Sequence, residues 1–351
     1  MNKIKVLHTE WSDGWGGQEI RIIGEMLALR EKGVELYLAC KEESQIHQKA
    51  LNEGFKVFTL PFRGNTDFKT LFGLIHIIKE NKIDIVNTHS GKDTWVGGLA
   101  AKISGVKFIR TRHLSNPIRK SRWNFINGLA DYIFTTGESV REDMILNNRI
   151  DPDKIMSIPT GIDEKVFNPD LYQKQKCREK FHIREDEFVI AIVAVLRQFK
   201  RHDLFILMAE ALVMRYPNKA LKFLIAGEGP QRNNIEKLIE EKNLSNHVHL
   251  LGHVAHVTEF LTAIDIFTLT SDSKEGVPQS VMQALLMSKA VVATDIGGTK
   301  DLLFEDNFIL IPTNDDVDYL VEAISKLIED ESLRVKYEDK AREYIEIAST
   351  K

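Results

Sequence analysis

Short apolar runs alternate with stretches of helical apolar spacing from one end of the chain to the other. Lys3–Thr9 (KIKVLHT) predicts a strand, and Glu19–Glu31 predicts a helix with Ile20, Ile23 and Leu27 spaced around it. Val34–Cys40, Lys56–Leu60, Ile83–Thr88, Val106–Arg110 and Tyr132–Thr135 are further strand candidates, each followed by a helical stretch. After Pro159 the pattern restarts with Phe188–Leu196, Leu221–Ala226, His247–Leu251, Ile264–Leu269, Ala290–Ala293 and Phe308–Ile311. Strands alternating with helices of this length imply βαβ units and parallel sheets, so the expected class is α/β. Two such series predict two doubly wound, Rossmann-like domains, each with a crevice at the carboxyl ends of its strands. The boundary falls between Thr160 and about Phe188, where IPTGIDEKVFNPD is rich in turn residues and Tyr172–Lys180 reads as a connecting helix. The expected division is a first domain over 1–165, a second over 166–330 and a C-terminal helix over 331–351.

Composition narrows the class only modestly. A chain of 351 residues exceeds one typical core and suits two domains. Hydrophobic content of 43% and charged content of 28% are ordinary for a globular protein. No apolar run approaches the ~18 residues of a spanning helix. The N-terminus reaches Glu10 and Asp13 before any long apolar core, unlike a signal peptide. Cys40 and Cys177 lie far apart without metal-like spacing, so a reduced, cytoplasmic setting is expected.

Charge is unevenly shared: residues 1–165 carry 24 Lys/Arg against 21 Asp/Glu, and the remainder 23 against 30. Thr94 to Ala130 holds no acid but seven bases, namely Lys102, Lys107, Arg110, Arg112, Arg119, Lys120 and Arg122. Trp123 and Phe125 follow them. Such a stretch suits either a solvated basic face or an anionic membrane surface or phosphate-bearing acceptor.

Candidate chemistry collects at predicted strand ends. Gly14, Gly16 and Gly17 lie between the first strand and first helix, where glycine lets backbone approach a phosphate or sugar. Their spacing is not that of the dinucleotide fingerprint. His89 and His113 each follow a strand, at the crevice edge, and Arg112 beside His113 suggests a phosphate or carboxylate on an acceptor. Arg197 and Lys200 follow the first strand of the second series. Two cations there can neutralise a departing diphosphate without metal. Glu275 sits on a Gly/Pro-bearing loop before a predicted helix, Gln279–Ser288, whose N-terminal amides suit phosphate or sugar oxygens.

The ordered set GGQE, IPTGID, LRQFK, GEGP, LLGH, EGVP and DIGG resembles the retaining GT-B glycosyltransferases of the group 1 (family 4-like) class across about 300 residues. The resemblance implies two domains facing a central cleft, the first for acceptor and the second for a nucleotide-sugar. It implies that Glu275, Arg197, Lys200 and His113 are catalytic, with His113 facing the transferring sugar. It places Gly16, Gly17, Gly227, Gly229, His253, Val254, Gly276, Val277, Pro278, Gln279 and Gln283 at the donor, and His89 with Arg112 at the acceptor. Gln283 stands where the family has a second acid, and Val195 where it usually has its arginine. The amide of Gln283 can still bond a ribose hydroxyl, at a loss of roughly 1 kcal/mol against a carboxylate. The implied activity is metal-independent transfer from a UDP-, GDP- or ADP-sugar co-substrate, with no cofactor. The implied acceptor is a glycan or lipid-linked molecule of cell-envelope polysaccharide or lipopolysaccharide synthesis. No nucleic-acid partner is expected, and the implied location is cytoplasmic and peripheral at the membrane's inner face. Two other readings share the motifs: a GT-B nucleotide-sugar epimerase or hydrolase, and a catalytically inactive nucleotide-sugar-binding subunit.

Overall fold

The computed structural model describes residues 3–113, 125–272, 275–304, 306–313 and 316–349. The chain forms two compact units that divide between Gly161 and Ile162. The first unit runs β1 (Lys5–Thr9), α1 (Gly17–Glu31), β2 (Glu35–Cys40), α2 (Gln45–Asn52), β3 (Lys56–Thr59), α3 (Phe68–Asn81), β4 (Ile85–Thr88), α4 (Gly91–Ser104), β5 (Lys107–Arg112), β6 (Tyr132–Thr135), α5 (Glu138–Asn148) and β7 (Ile155–Ser157). Its seven strands lie in the order β3-β2-β1-β4-β5-β6-β7. Every pairing is parallel, with His8 opposite Asn87 and Thr88 opposite Arg110.

The second unit runs α6 (Lys174–Lys180), β8 (Phe188–Val193), α7 (His202–Arg215), β9 (Leu221–Ala226), α8 (Arg232–Glu241), β10 (Val248–Gly252), α9 (Val257–Ala263), β11 (Ile266–Leu269), α10 (Gln279–Leu286), β12 (Ala290–Thr294), β13 (Ile309–Ile311), α11 (Asp318–Glu329) and α12 (Glu331–Ser349). The sheet order is β10-β9-β8-β11-β12-β13, again all parallel. In both sheets the strand order turns back on itself once, between β1 and β4 and between β8 and β11. Those are the switch points where open α/β sheets leave a crevice.

Parallel strands are covered on both faces, so they read as unbroken apolar runs such as FVIAIV in β8. Apolar clusters duly lie on both sides of each sheet. Leu7 and Phe108 belong to one side of the first sheet, while Val6, Ile22 and Met26 of α1 belong to the other. Phe205 and Phe223 pack on one side of the second sheet, and Phe260 and Phe267 on the other.

Several boundaries differ from the periodicity. The strand expected at Val106–Arg110 continues to Arg112, which makes His113 the first residue beyond it. The strand expected through Leu196 stops at Val193, and the helix expected through Ser288 stops at Leu286, with Ser288 in the left-handed region at φ 53°. β7 was not predicted: three residues are too few to show a period, and pairing with β6 decides it. The units divide before the expected position 165, and α12 belongs to the second unit.

The turn after β9 is set by backbone contact. Gly227 has φ +147°, and a Cβ there would sit 1.9 Å from the carbonyl oxygen of Ala194. Gly227→Ala is therefore expected to destabilise the protein by about 2–4 kcal/mol, combining an unfavourable φ with overpacking. Gly64→Ala, with nothing within 4 Å of its new Cβ, should stay within about 0.5 kcal/mol. Denaturant titration of both variants checks this, and equal midpoints would refute it.

Candidate functional site

In the second unit the chemistry stands at the β8/β11 switch point. Lys200 lies in a short 3-10 turn after β8, and its ammonium is bonded to the Glu275 carboxylate beyond β11. Both side chains are largely buried, at 15% and 7% exposure. The Ser271 hydroxyl donates to Glu275 at 2.5 Å, and Thr294 at the end of β12 donates to the Ser271 carbonyl at 2.5 Å. Thr270 ties the same loop back to the turn, donating to the Lys200 carbonyl at 2.8 Å. Glu275 and Lys200 are thus held by strands β8, β11 and β12 together.

The segment Glu275–Pro278 continues directly into α10. Gly298 donates its amide to the Gly276 carbonyl at 2.9 Å, and a Cβ on Gly298 would meet Val277 Cγ2 at 2.7 Å. That close approach explains why the DIGG turn carries glycine. Pro278 occupies the N-cap of α10 and its side chain makes no capping hydrogen bond. Gln279 opens the helix, and Gln283 lies one turn further, half-buried. Gly227 and Gly229 shape backbone only: the Leu196 amide donates to the Glu228 carbonyl at 3.0 Å, and a Cβ on Gly229 would meet Leu196 oxygen at 2.6 Å. Arg197 and His253 are exposed, and Val254 rests against the core beneath.

His202, the first residue of α7, was not anticipated. It is buried with neither ring nitrogen bonded, and burial together with Lys200 pushes its pKa down to about 4.

In the first unit His89 and His113 come together, and His8 from within β1 joins them. His8 Nδ1 and His89 Nε2 share a hydrogen bond of 2.9 Å, and His89 Nδ1 and His113 Nε2 one of 3.0 Å. Burial holds all three imidazoles below the usual histidine range. For His8 the Glu25 carboxylate opposes this, while Arg21 adds to it at His89 and His113. Arg21 and Glu25 are one turn apart on α1, which covers this side of the sheet. Asp93 anchors the row from below. It accepts from the His89 amide at 2.8 Å, from the Ser90 amide at 2.8 Å and from the Thr9 hydroxyl at 2.8 Å, which joins β1, β4 and the start of α4. Gly16 caps α1, its amide bonded to Glu19 at 2.9 Å, and Gly17 is the helix's first residue. Glu10, buried beside Asp93 and Glu19, accepts from Gln18 and from the Trp11 and Ser12 amides, and its pKa is pushed up to about 8.

The basic stretch is not one solvated face. Lys102 is bonded to Asp131 at 2.7 Å, and Arg110 is buried, its pKa lowered to about 9 by burial and by Arg112. Arg112 is itself half-buried at the end of β5. Arg119, Lys120, Arg122 and Trp123 lie outside the described residues.

His8, Glu10, Arg21, Asp93, Ser271 and His202 were missed because each reads as an ordinary core or helix position. Only their place near the carboxyl end of a strand or the start of a helix could have flagged them.

Two doubly wound parallel sheets, each with polar groups gathered at its switch point, are the two-domain α/β architecture of the GT-B class. The family model "Glycosyltransferase Family 4" matches residues 15–166, and "Glycosyl transferases group 1" matches residues 173–344. The chain belongs to the group 1 glycosyltransferases. It is 25% identical over 352 residues to an Escherichia coli UDP-Gal:alpha-D-GlcNAc-diphosphoundecaprenol alpha-1,3-galactosyltransferase, covering 95% of this chain and 90% of that one. It is 26% identical over 305 residues to the Saccharomyces cerevisiae phosphatidylinositol N-acetylglucosaminyltransferase GPI3 subunit, covering 82% of this chain but only 66% of that relative. The fold matches Anabaena HepE solved with UDP-glucose at TM-score 0.85 and 18% identity, over 97% of this chain and 94% of that one.

The depressed histidine pKa values have a stability signature. His202 stays neutral in the folded protein down to about pH 4, whereas unfolded it protonates below about 6.5. Its contribution is complete above pH 6.5 and is lost as pH falls, at roughly 1.4 kcal/mol per pH unit. His202→Gln should therefore close the gap to the wild type as pH drops from 7 to 5. Urea titrations at both pH values decide it, and parallel profiles would show that His202 protonates freely.

Proposed function

We propose that this glycosyltransferase transfers a sugar, with retained anomeric configuration, from a UDP-sugar to a lipid-linked diphosphate acceptor of cell-envelope synthesis. One observation carries the reading: the buried Lys200–Glu275 pair lies at the switch point, with Glu275 on the loop that leads into the N-terminus of α10. A donor entering there would draw Lys200 off Glu275 onto its diphosphate, joined by exposed Arg197. The freed carboxylate, with the amides of Gly276 and Val277, would hold the sugar hydroxyls. Gln283 would bond the ribose, and the backbone at His253 and Val254 would hold the base. Preorganised cations stabilise the charge that develops as the glycosidic bond breaks. The acceptor hydroxyl then adds on the face the diphosphate leaves, and the leaving phosphate takes its proton. His113 would contact a hydroxyl of the transferring sugar and Arg112 would lie toward the acceptor, while His89, buried with both ring nitrogens bonded, is not free to bind the acceptor as the sequence suggested. Support for UDP comes from the UDP-glucose complex of HepE, and for a diphosphate lipid acceptor from the name of the E. coli relative.

Release of free UDP from a UDP-sugar panel, in EDTA and with or without a diphospholipid acceptor, tests this. Acceptor-dependent release that survives EDTA is expected, and Glu275→Ala should lower it at least a hundredfold. Release without acceptor would mean hydrolysis or epimerisation, and binding without turnover would mean an inactive binding protein. Dependence on added metal would remove the role given to Arg197 and Lys200.

A lipid-linked acceptor brings the enzyme to a membrane surface, yet among the described residues no helix is long and apolar enough to cross one. Attachment would be peripheral, through Arg119, Lys120 and Arg122, at about 1 kcal/mol per base. Sedimentation with anionic liposomes at low salt should fall when all three are changed to Ser. Unchanged sedimentation would leave these three bases without a membrane role.

A further inference from the structure

Three imidazoles run side by side across the switch point of the first sheet. His8, His89 and His113 are 0%, 3% and 8% exposed and come from or directly follow the neighbouring strands β1, β4 and β5. The first two rings stack at 5.2 Å with planes 11° apart, and the second pair lies at 5.3 Å and 37°. The two hydrogen bonds are in series, each from the Nδ1 of one ring to the Nε2 of the next.

A neutral imidazole has one N–H and one lone pair. If His8 donates from Nδ1, then His89 accepts at Nε2 and must carry its proton on Nδ1. His113 then accepts at Nε2 and carries its own proton on Nδ1. If the first bond runs the other way, all three rings carry the proton on Nε2. No mixed arrangement keeps both bonds. Burial favours the neutral form of each ring, with Arg21 further disfavouring a charge on His89 and His113. The inner end is closed, since His8 Nε2 is buried with no partner. No described residue bonds the Nδ1 of His113 at the outer end. An orphaned buried N–H is the rarer case, so His8 Nε2 is left as a lone pair; that puts the proton of all three rings on Nδ1 and sets His113 Nδ1 as a donor from two rings away.

We propose that His8 and His89 are positioning residues whose hydrogen-bonded row fixes which nitrogen of His113 carries the proton. For catalysis this rests on His113 meeting the substrate, as proposed above. The row itself is a property of the protein without substrate. A sugar hydroxyl both donates and accepts, so a fixed His113 Nδ1 selects one orientation of that hydroxyl. Loss of the row would let His113 alternate between tautomers and slow turnover with little effect on donor binding.

The test uses the full chain labelled with 15N-histidine, with no donor or acceptor. In the wild type, one nitrogen of His113 should report as protonated and the other as unprotonated. His8→Leu should average the two signals and lower kcat about ten- to a hundredfold, as losing an orienting partner of a histidine does elsewhere. KM for the donor should move less than about threefold. His8→Asn keeps an amide near the Nδ1 position and should restore both the signals and most of kcat. If His8→Leu does not fold, the same spectra on His89→Leu, which removes the partner of His113 Nε2, decide the question. His113 signals that stay unchanged when the row is cut overturn the proposal, whatever reaction the enzyme performs. Changed signals with unchanged kcat overturn its catalytic half.

Discussion

A parallel sheet covered on both faces has little place for polar side chains except at its strand ends. Many of the buried polar residues obey that constraint, although Arg110 lies within β5 and Thr268 within β11. His8 and Thr9 are the last residues of β1 and Glu10 follows it; Thr88 ends β4 and His89 follows it; Thr111 is near the end of β5 and His113 follows; Thr270 and Ser271 follow β11; and Thr294 ends β12. These ends form the switch points of both units. The opposite edge of the second sheet shows what a purely structural polar group looks like. Asp265, just before β11, accepts from Arg178 at 2.7 Å, Lys174 at 2.6 Å and the Val189 amide at 2.8 Å. At the carboxyl ends, by contrast, His8 Nε2, both nitrogens of His202 and the Thr299 hydroxyl are buried without partners. Unpaired buried groups lower stability, and the Ser104 hydroxyl at the end of α4 and the Thr268 hydroxyl within β11 are of the same kind.

The Lys200–Glu275 pair follows the same logic. A buried ion pair gains little net stability, because desolvating both charges offsets most of their attraction. It does keep two opposite charges ready in a site with little water. An incoming anion exchanges one partner of an existing pair, so Lys200 need not be stripped of water at that moment. On the reading proposed above, a diphosphate bearing a sugar would offer an anion to Lys200 and hydroxyls to Glu275.

The fold and much of the second site were readable from residues alone, for different reasons. Strands such as Leu221–Ala226 and Tyr132–Thr135 were placed to the residue because their apolar runs end at turn residues. Glu275, Gly276 and Pro278 carried a loop-to-helix signature, and the structure sets that loop beside Lys200, some 75 positions earlier in the chain. The first site was half legible. His89 and His113 stood at strand ends, but their contact depends on strand order, which periodicity does not encode. His8 was hidden further, since a histidine inside the apolar run KIKVLHT has no local pattern of its own. Asp93 carries no pattern that sets it apart, and its bonds to Thr9 and His89 join two strands. Ser271 and His202 were invisible for the same reason: their meaning lies in what lies across the sheet from them.

The two units divide the electrostatic work. In the second, charged groups face one another and can be re-paired by an anion. In the first, a row of histidines is held neutral by burial, with Arg21 disfavouring any added charge at its outer members. Breaking a glycosidic bond to a diphosphate generates negative charge, which cations stabilise. Orienting a sugar or acceptor hydroxyl needs directional bonds without a strong field that would misplace its proton. Neutral imidazoles bonded in series provide direction without a full charge, which gives the burial of His8, His89 and His113 a chemical reason beyond packing.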